Sequence, residues 1–250
     1  MQGSYPSRLI EKLPQVADVV SFRFERPEGY RFQAGQWLVV TFAGPDPAEP
    51  YEHHFSHSDA PSAPWVEFTT RLRESEFKNA LSALPVGSDV QLEGPYGSFV
   101  MPPDVERAAF LAGGIGITCV RSILRWVADL HASAGGAAEG GEQARLALRD
   151  IVLLFANRSE DAIPFLAELD ELAESLPGLR VVHVLSQPGK GWRGYRGHLD
   201  QEILAAELPD PGSWDYFVSG PPSFDLAMQE VLVGWGIDAG RTKMERFEGY

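Results

Sequence analysis

The stretch AAFLAGGIGIT, residues 108–118, decides the fold. Its first half is a short apolar run of the kind that forms a fully buried strand. Gly113, Gly114 and Gly116 follow, and from Ile117 the pattern changes. Ile117, Val120, Ile123, Leu124, Val127 and Leu130 recur at helical spacing and make one apolar stripe. The reading is buried strand, glycine turn, amphipathic helix. Glycines let a backbone turn sharply and approach a ligand, and the free N–H groups that open a helix attract phosphate. The spacing G-G-x-G-x-T is neither G-x-G-x-x-G nor a P-loop, which requires a lysine. Alone, the stretch fits a phosphate site or a tight turn with no ligand.

The same rhythm continues downstream. IVLLFA (151–156), VVHVL (181–185) and DYFVSG (215–220) are apolar runs followed by helical character, with helices expected near 161–175 and 223–234. Strand–helix alternation implies right-handed crossovers and a parallel sheet covered on both faces. SGPPSF (219–224) again sets glycine and proline between a strand and a helix. Both turns therefore belong at the carboxyl end of one sheet, where open α/β sheets bind ligands. Residues 131–149 begin with small residues and read as a surface loop without chemistry.

Upstream the segments are shorter. Strands are expected at SRLIEKL (7–13), VVSFRFERP (19–27), QWLVVTFAG (36–44), HHFSHSD (53–59), WVEFTTRLR (65–73) and DVQLEG (89–94), with one helical insert at SEFKNALSAL (75–84). VSFRFER alternates apolar and polar, so one face is buried and one wet. Such a set suggests a closed antiparallel barrel. With a boundary in the proline-containing stretch 101–106, the fold class is β + α/β. An N-terminal antiparallel β-barrel domain (1–103) precedes a C-terminal parallel-sheet, Rossmann-like α/β domain (104–250), and 250 residues suffice for two small domains.

Composition narrows the function classes. At 44 % hydrophobic and 11 % aromatic residues, the chain can build a core. Its formal net charge of −14, from 35 acidic against 21 basic residues, argues against nucleic acid or an anionic membrane surface as partner and permits a basic protein. Cys119 is the single cysteine, which excludes an internal disulfide and an all-cysteine iron–sulfur cluster. MQGSYPSRLI has no apolar signal core and no apolar run approaches a membrane span, so a cytoplasmic protein without membrane insertion is expected.

Three of the six histidines lie in YEHHFSHSDAP, residues 51–61. On a strand His53 and His57 share a face but stand about 13 Å apart at ~3.3 Å per residue, too far to share one metal ion. No metal site is expected. The neighbouring Ser, His and Asp do not make a hydrolase either, because no G-x-S-x-G elbow occurs.

The ordered set HHFS (53–56), SEFKNALSALPVGSDVQLEGPYGSF (75–99), LAGGIGIT (111–118), VSGPPSF (218–224) and the final EGY resembles the ferredoxin–NADP reductase-like superfamily of flavoproteins, and its short bacterial members in particular. The resemblance covers almost the whole chain. It implies an FAD-binding barrel, an NAD(P)-binding α/β domain, and an enzyme that moves hydride from NAD(P)H to FAD. Single electrons then pass to a separate acceptor: a ferredoxin or other iron–sulfur protein, a haem protein, a flavodoxin, or a small acceptor. Phe55 is then expected against the flavin ring and Ser56 near its N5. His53 stands where the family has a phosphate-binding arginine; Arg71, Arg73, Phe77 and Lys78 are further cofactor-binding candidates. Gly113, Gly114, Gly116 and Thr118 match the pyrophosphate loop, and Ser219, Gly220, Pro221 and Pro222 match the Cys-Gly-Pro-Pro turn with serine for cysteine. Arg158 and Ser159, with Asn157, Glu160, Asp161, Ser186, Arg193 and Tyr195 nearby, leave NADH against NADPH open. Tyr250 is expected over the flavin face, and Glu245 or Glu248 as proton source. His57 and Asp59 depart from the family pattern. With His53 and Ser219 they keep an alternative open, a regulatory nucleotide-binding member with weakened or lost flavin binding.

Overall fold

The computed structural model describes residues 2–46, 48–134 and 148–246. The N-terminal half is one antiparallel sheet built from β1 (Gly3–Pro14), β2 (Val19–Glu25), β3 (Trp37–Asp46), β4 (Glu49–Ser56), β5 (Trp65–Arg71) and β6 (Asp89–Tyr96), in the order β4-β3-β6-β1-β2-β5. The helix α1 (Glu76–Ala83) sits between β5 and β6. It starts where expected because Ser75 caps it, its side chain accepting from Lys78 N–H. The sheet curls until its two edges meet, and one bridge, His57 to Phe68, joins them. Phe22, Phe24, Phe55, Phe68, Leu38, Leu81 and Leu92 fill the interior. In β2 the expected alternation holds except at Ser21, which is buried and hydrogen-bonds Thr69 at 2.7 Å.

The C-terminal half carries β7 (Arg107–Gly113), α2 (Ile117–Ala134), β8 (Asp150–Asn157), α3 (Leu166–Ser175), β9 (Leu179–Leu185), β10 (Tyr195–Arg196), α4 (Gln201–Glu207), β11 (Asp215–Gly220), α5 (Pro222–Gly234) and β12 (Thr242–Arg246). The strands form a parallel sheet in the order β10-β9-β8-β7-β11-β12. One core lies between the sheet and α2 and α3, and a second contains residues of α4 and α5. Both faces are therefore covered, which is why β7 and β8 are apolar almost throughout rather than alternating. The chain leaves β7 in one direction through β8 and β9 and returns to its other side at β11. That reversal puts a crevice at the carboxyl ends of β7 and β11.

Several boundaries differ from the sequence reading. The expected strand 53–59 ends at Ser56, and His57, Ser58 and Asp59 are all buried in the seam where the sheet edges meet. The shared strand face expected for His53 and His57 is therefore absent, because the strand stops at Ser56. The helix expected from 161 begins at Leu166: Glu160–Ala162 is a single 3-10 turn, and Pro164 and a left-handed Phe165 (φ 60°) intervene. The 131–149 loop is shortened because α2 runs on through Ala134, and residues 135–147 lie outside the described residues. The sequence reading missed α4, β10 and β12, which are short and carry little periodicity of their own. Among the described residues no helix is long and apolar enough to cross a membrane, and no group of three or more His, Cys, Asp or Glu could hold a metal ion.

Candidate functional site

Two adjoining clefts form the site. The first, about 180 Å³, opens over the end of β4, the end of β5 and the start of α1, with Ile115 and Thr118 from the glycine turn forming its far wall. The second, about 400 Å³, lies at the carboxyl end of the parallel sheet and is lined by Gly113, Gly114, Ile115, Asn157, Arg158, Ser186, His198, Pro221 and Phe224. Arg71, Arg73 and Ile115 line both.

In the first cleft, Ser56 is buried and its hydroxyl has no hydrogen-bond partner within the protein. A buried hydroxyl left unpaired costs about 1–3 kcal/mol, so such a group in a cleft wall is a mark of a ligand contact. Phe55 lines this cleft and is stacked on Phe68, with ring centroids 4.0 Å apart and planes 4° apart. Lys78 Nζ stands 5.1 Å from the centroid of Phe55 and hydrogen-bonds Thr70 Oγ1. Burial, with help from the charge of Arg73, pulls the Lys78 ammonium down to about 8. His53 packs beside Phe55 and Phe77 at centroid distances of 4.9 and 5.0 Å, and its Nδ1 lies 2.8 Å from the His54 carbonyl. Burial first, and then Lys78, lower its pKa below the usual imidazole value. His53 is thus a neutral ring at neutral pH, and the cations of this cleft are Arg71, Arg73 and Lys78. Arg71 is paired with Asp18 at 3.4 Å.

In the second cleft the glycines divide by what surrounds them. A side chain on Gly116 would meet the Ser219 carbonyl at 2.2 Å, and one on Gly113 or Gly220 would meet the Phe224 ring at 2.9 or 2.5 Å. These three let the two turns pack against each other. Gly114 differs: its φ of +54° requires glycine, and nothing lies within 4 Å of where a side chain would start. It presents bare backbone to the cleft. Beside it, Asn157 Nδ2 is buried without a partner at the end of β8. Arg158 reaches Gln187 Oε1 at 2.9 Å.

The other expected residues scatter. Ser159 bonds Asp161 at 2.5 Å and lines neither cleft. Ser219 is wholly buried, faces α2 and accepts from Cys119 Sγ at 3.2 Å. Glu245 pairs in register with Ser219 across β11 and β12; burial, and then Asp225, raise its carboxyl to about 7. Pro221 lines the second cleft and Pro222 starts α5. Glu248 and Tyr250 lie outside the described residues. Thr70, Ser75, Ile115 and His198 line the clefts without having been singled out in the sequence. Of these, Ser75 was findable as a helix cap, whereas the others come into place only through the fold.

Comparison with known proteins gives the same frame. Residues 110–230 match the family model described as "Oxidoreductase NAD-binding domain". The ferredoxin NADP+ reductase of Neisseria gonorrhoeae superposes with a TM-score of 0.80 at 19 % identity, over 97 % of this chain and 98 % of that one. The FAD/NAD binding domain of the nitric oxide dioxygenase of Vibrio cholerae superposes with a TM-score of 0.80 at 18 % identity, over 99 % of each chain. The chain has the fold of the ferredoxin–NADP reductase-like proteins. A curated relative, the glycine betaine monooxygenase reductase subunit of Chromohalobacter salexigens, is 28 % identical over 98 % of this chain. The chain spans 64 % of that relative's length. Its glycine turn and its Gly-Pro-Pro turn lie at the carboxyl ends of adjacent strands of the parallel sheet.

Proposed function

We propose that the chain is a flavin-dependent NAD(P)H oxidoreductase that reduces a separate electron acceptor. Residues 1–103 form the FAD-binding barrel, with the flavin in the first cleft. Residues 104–250 form the NAD(P)-binding domain, with the nucleotide in the second. The observation that carries the reading is the junction of the clefts. A buried, unpartnered Ser56 hydroxyl lies on one side, a glycine turn at the sheet's switch point on the other, and Ile115 lines both.

The residues present fit the cofactor. Ser56 has a hydrogen bond to give. Lys78, Arg73 and the N-terminal N–H groups of α1 supply positive potential for a diphosphate. When bound, FAD accepts hydride from the reduced nicotinamide and releases electrons one at a time. On the nucleotide side, Gly114 and Asn157 offer N–H donors at the strand ends and Arg158 offers charge. Glu245 holds a proton close to neutrality beside Ser219. Relatives named as the reductase subunits of a glycine betaine monooxygenase and of a stachydrine N-demethylase support an acceptor on another protein, which we take to be of iron–sulfur, haem or flavodoxin type.

A neutral His53 where the family has arginine favours a second reading, a nucleotide-binding regulator that holds flavin weakly. The visible absorption spectrum separates the two. Flavin bands near ~450 nm that bleach on anaerobic addition of NADH or NADPH are expected, and the nucleotide that bleaches them is the donor. A protein that stays colourless after incubation with FAD sinks the reductase reading.

A further inference from the structure

Ser58 and Asp59 follow the flavin motif yet point away from the first cleft, into the contact between the barrel and α2. Asp59 accepts Trp65 Nε1 at 2.8 Å and pairs with Arg125 Nε at 2.7 Å. The Asp59 carbonyl accepts Ser122 Oγ at 2.7 Å. The Ser58 carbonyl accepts Arg121 Nη1, and the Ser58 hydroxyl donates to Glu67 Oε1 at 2.8 Å. Arg121, itself 3 % exposed, also reaches Glu67 Oε1 at 2.8 Å and Glu168 on α3 at 3.0 Å, with its guanidinium 4.3 Å from the Phe165 ring centroid. Arg125 returns to Glu168 at 2.8 Å.

These contacts form one unit. Positions 121, 122 and 125 share one face of α2, one turn past the glycine turn that walls both clefts. Their partners are on the seam and β5 of the barrel on one side and on α3 on the other. Desolvating so many charges is costly, and a well-packed apolar seam would hold the halves together as firmly. What an ionic network adds is direction: each forked guanidinium accepts one geometry.

We propose that Arg121 and Arg125 are positioning residues. With Asp59 and Glu67 they form a clamp that sets where the head of α2, carrying Ile115 and Thr118, stands relative to Ser56. The clamp thereby fixes the gap across which the two clefts face each other. This rests on the two-cleft reading above, because only then does the gap have a chemical consequence. It also accounts for Asp59, one of the positions where the chain departs from its family.

The test compares the full-length wild type with the charge-neutral pair Arg121→Met with Glu67→Gln, and with Asp59→Asn, which keeps an acceptor for Trp65. Hydrogen exchange over residues 117–125, with and without FAD, reads the clamp itself; exchange about tenfold faster is expected in both variants. With FAD bound and nucleotide saturating, the rate of flavin bleaching is expected to fall tenfold or more, since a misplacement of about 1 Å costs up to a hundredfold. Long-wavelength charge-transfer absorption should weaken, while KM for the nucleotide changes less than about threefold because both clefts keep their own walls. Unchanged exchange overturns the clamp. So do an unchanged bleaching rate and charge-transfer band in flavin-loaded variants. If the wild type shows no bleaching with either nucleotide, the functional reading fails instead, and exchange alone decides the clamp. If the double variant does not fold, Asp59→Asn decides by the same readouts.

Discussion

Lys78 and His53 decide the charge of the first cleft. His53 is neutral because burial disfavours its charge, whereas Lys78, which burial brings down to about 8, is the cation beside it; if the cleft holds the FAD diphosphate as proposed, Lys78 is its anchor. An anionic ligand binds the ammonium form and raises its pKa. Affinity is therefore full below pH 8 and is lost as pH rises from there toward the ligand-bound value. Titrating FAD binding between pH 6.5 and 9.5 should show this loss, and Lys78→Arg should flatten it. His53→Arg restores a permanent forked cation. It is expected to tighten FAD by ten- to a hundredfold, about 1.5–3 kcal/mol, read as the dissociation constant by flavin fluorescence. Glu245 works in the opposite sense. Its folded pKa of about 7 lies above the ordinary carboxylate value, so the fold is favoured while the group is protonated and loses that contribution as pH rises through 7. Glu245→Gln should raise the melting temperature at pH 8 and leave it nearly unchanged at pH 5. If Glu245 supplies the proton in turnover, the same variant removes the fall in rate above pH 7.

At the scale of the elements, the seam after β4 and the contact between the two turns hold the site in place. His57 is wholly buried, stacked on Phe32 at 3.7 Å and hydrogen-bonded to Tyr30 at 3.1 Å. Burial, with the charge of Arg26, depresses its pKa to about 3. The neutral ring is the folded form, so its contribution is whole above the unfolded value of about 6.5 and drains as pH falls toward 3. At pH 4.5 the loss is about 3 kcal/mol. His57→Phe, which keeps the stack, should make the urea midpoint less acid-sensitive between pH 6.5 and 4.5. On the other side, Gly116→Ala drives a methyl to 2.2 Å from the Ser219 carbonyl and must push β7 and β11 apart. A loss of about 1–3 kcal/mol is expected in equilibrium unfolding. The strand–helix alternation and the cap at Ser75 were legible because periodicity and capping are local. The end of β4 at Ser56 was not, because a contact with Phe68 on another strand stops it. For the same reason the sequence offered no account of His57 and Asp59, whose partners lie on distant elements.

Across the whole molecule, the charge of −14 acts on whatever approaches. Reduction of a cationic haem protein by NAD(P)H should slow as salt is raised from 20 to 200 mM, since long-range attraction is screened within about 10 Å at 0.1 M. A rate independent of salt would locate the docking step elsewhere. The helix–sheet–helix plan and its crevice were readable from β7 onward, because a buried parallel sheet writes continuous apolar runs into the chain. How closely the clefts adjoin was not readable, since Arg71 and Arg73 sit on the barrel yet line the second cleft as well. If both clefts hold their proposed ligands, two polyanions on either side of one pair of guanidinium groups compete for the same positive potential. Each then weakens the other's hold, and linkage makes the penalty identical in both directions. Oxidised nucleotide would leave more readily from the flavin-loaded protein than from the apoprotein, and negative cooperativity of this kind would speed turnover without any moving part.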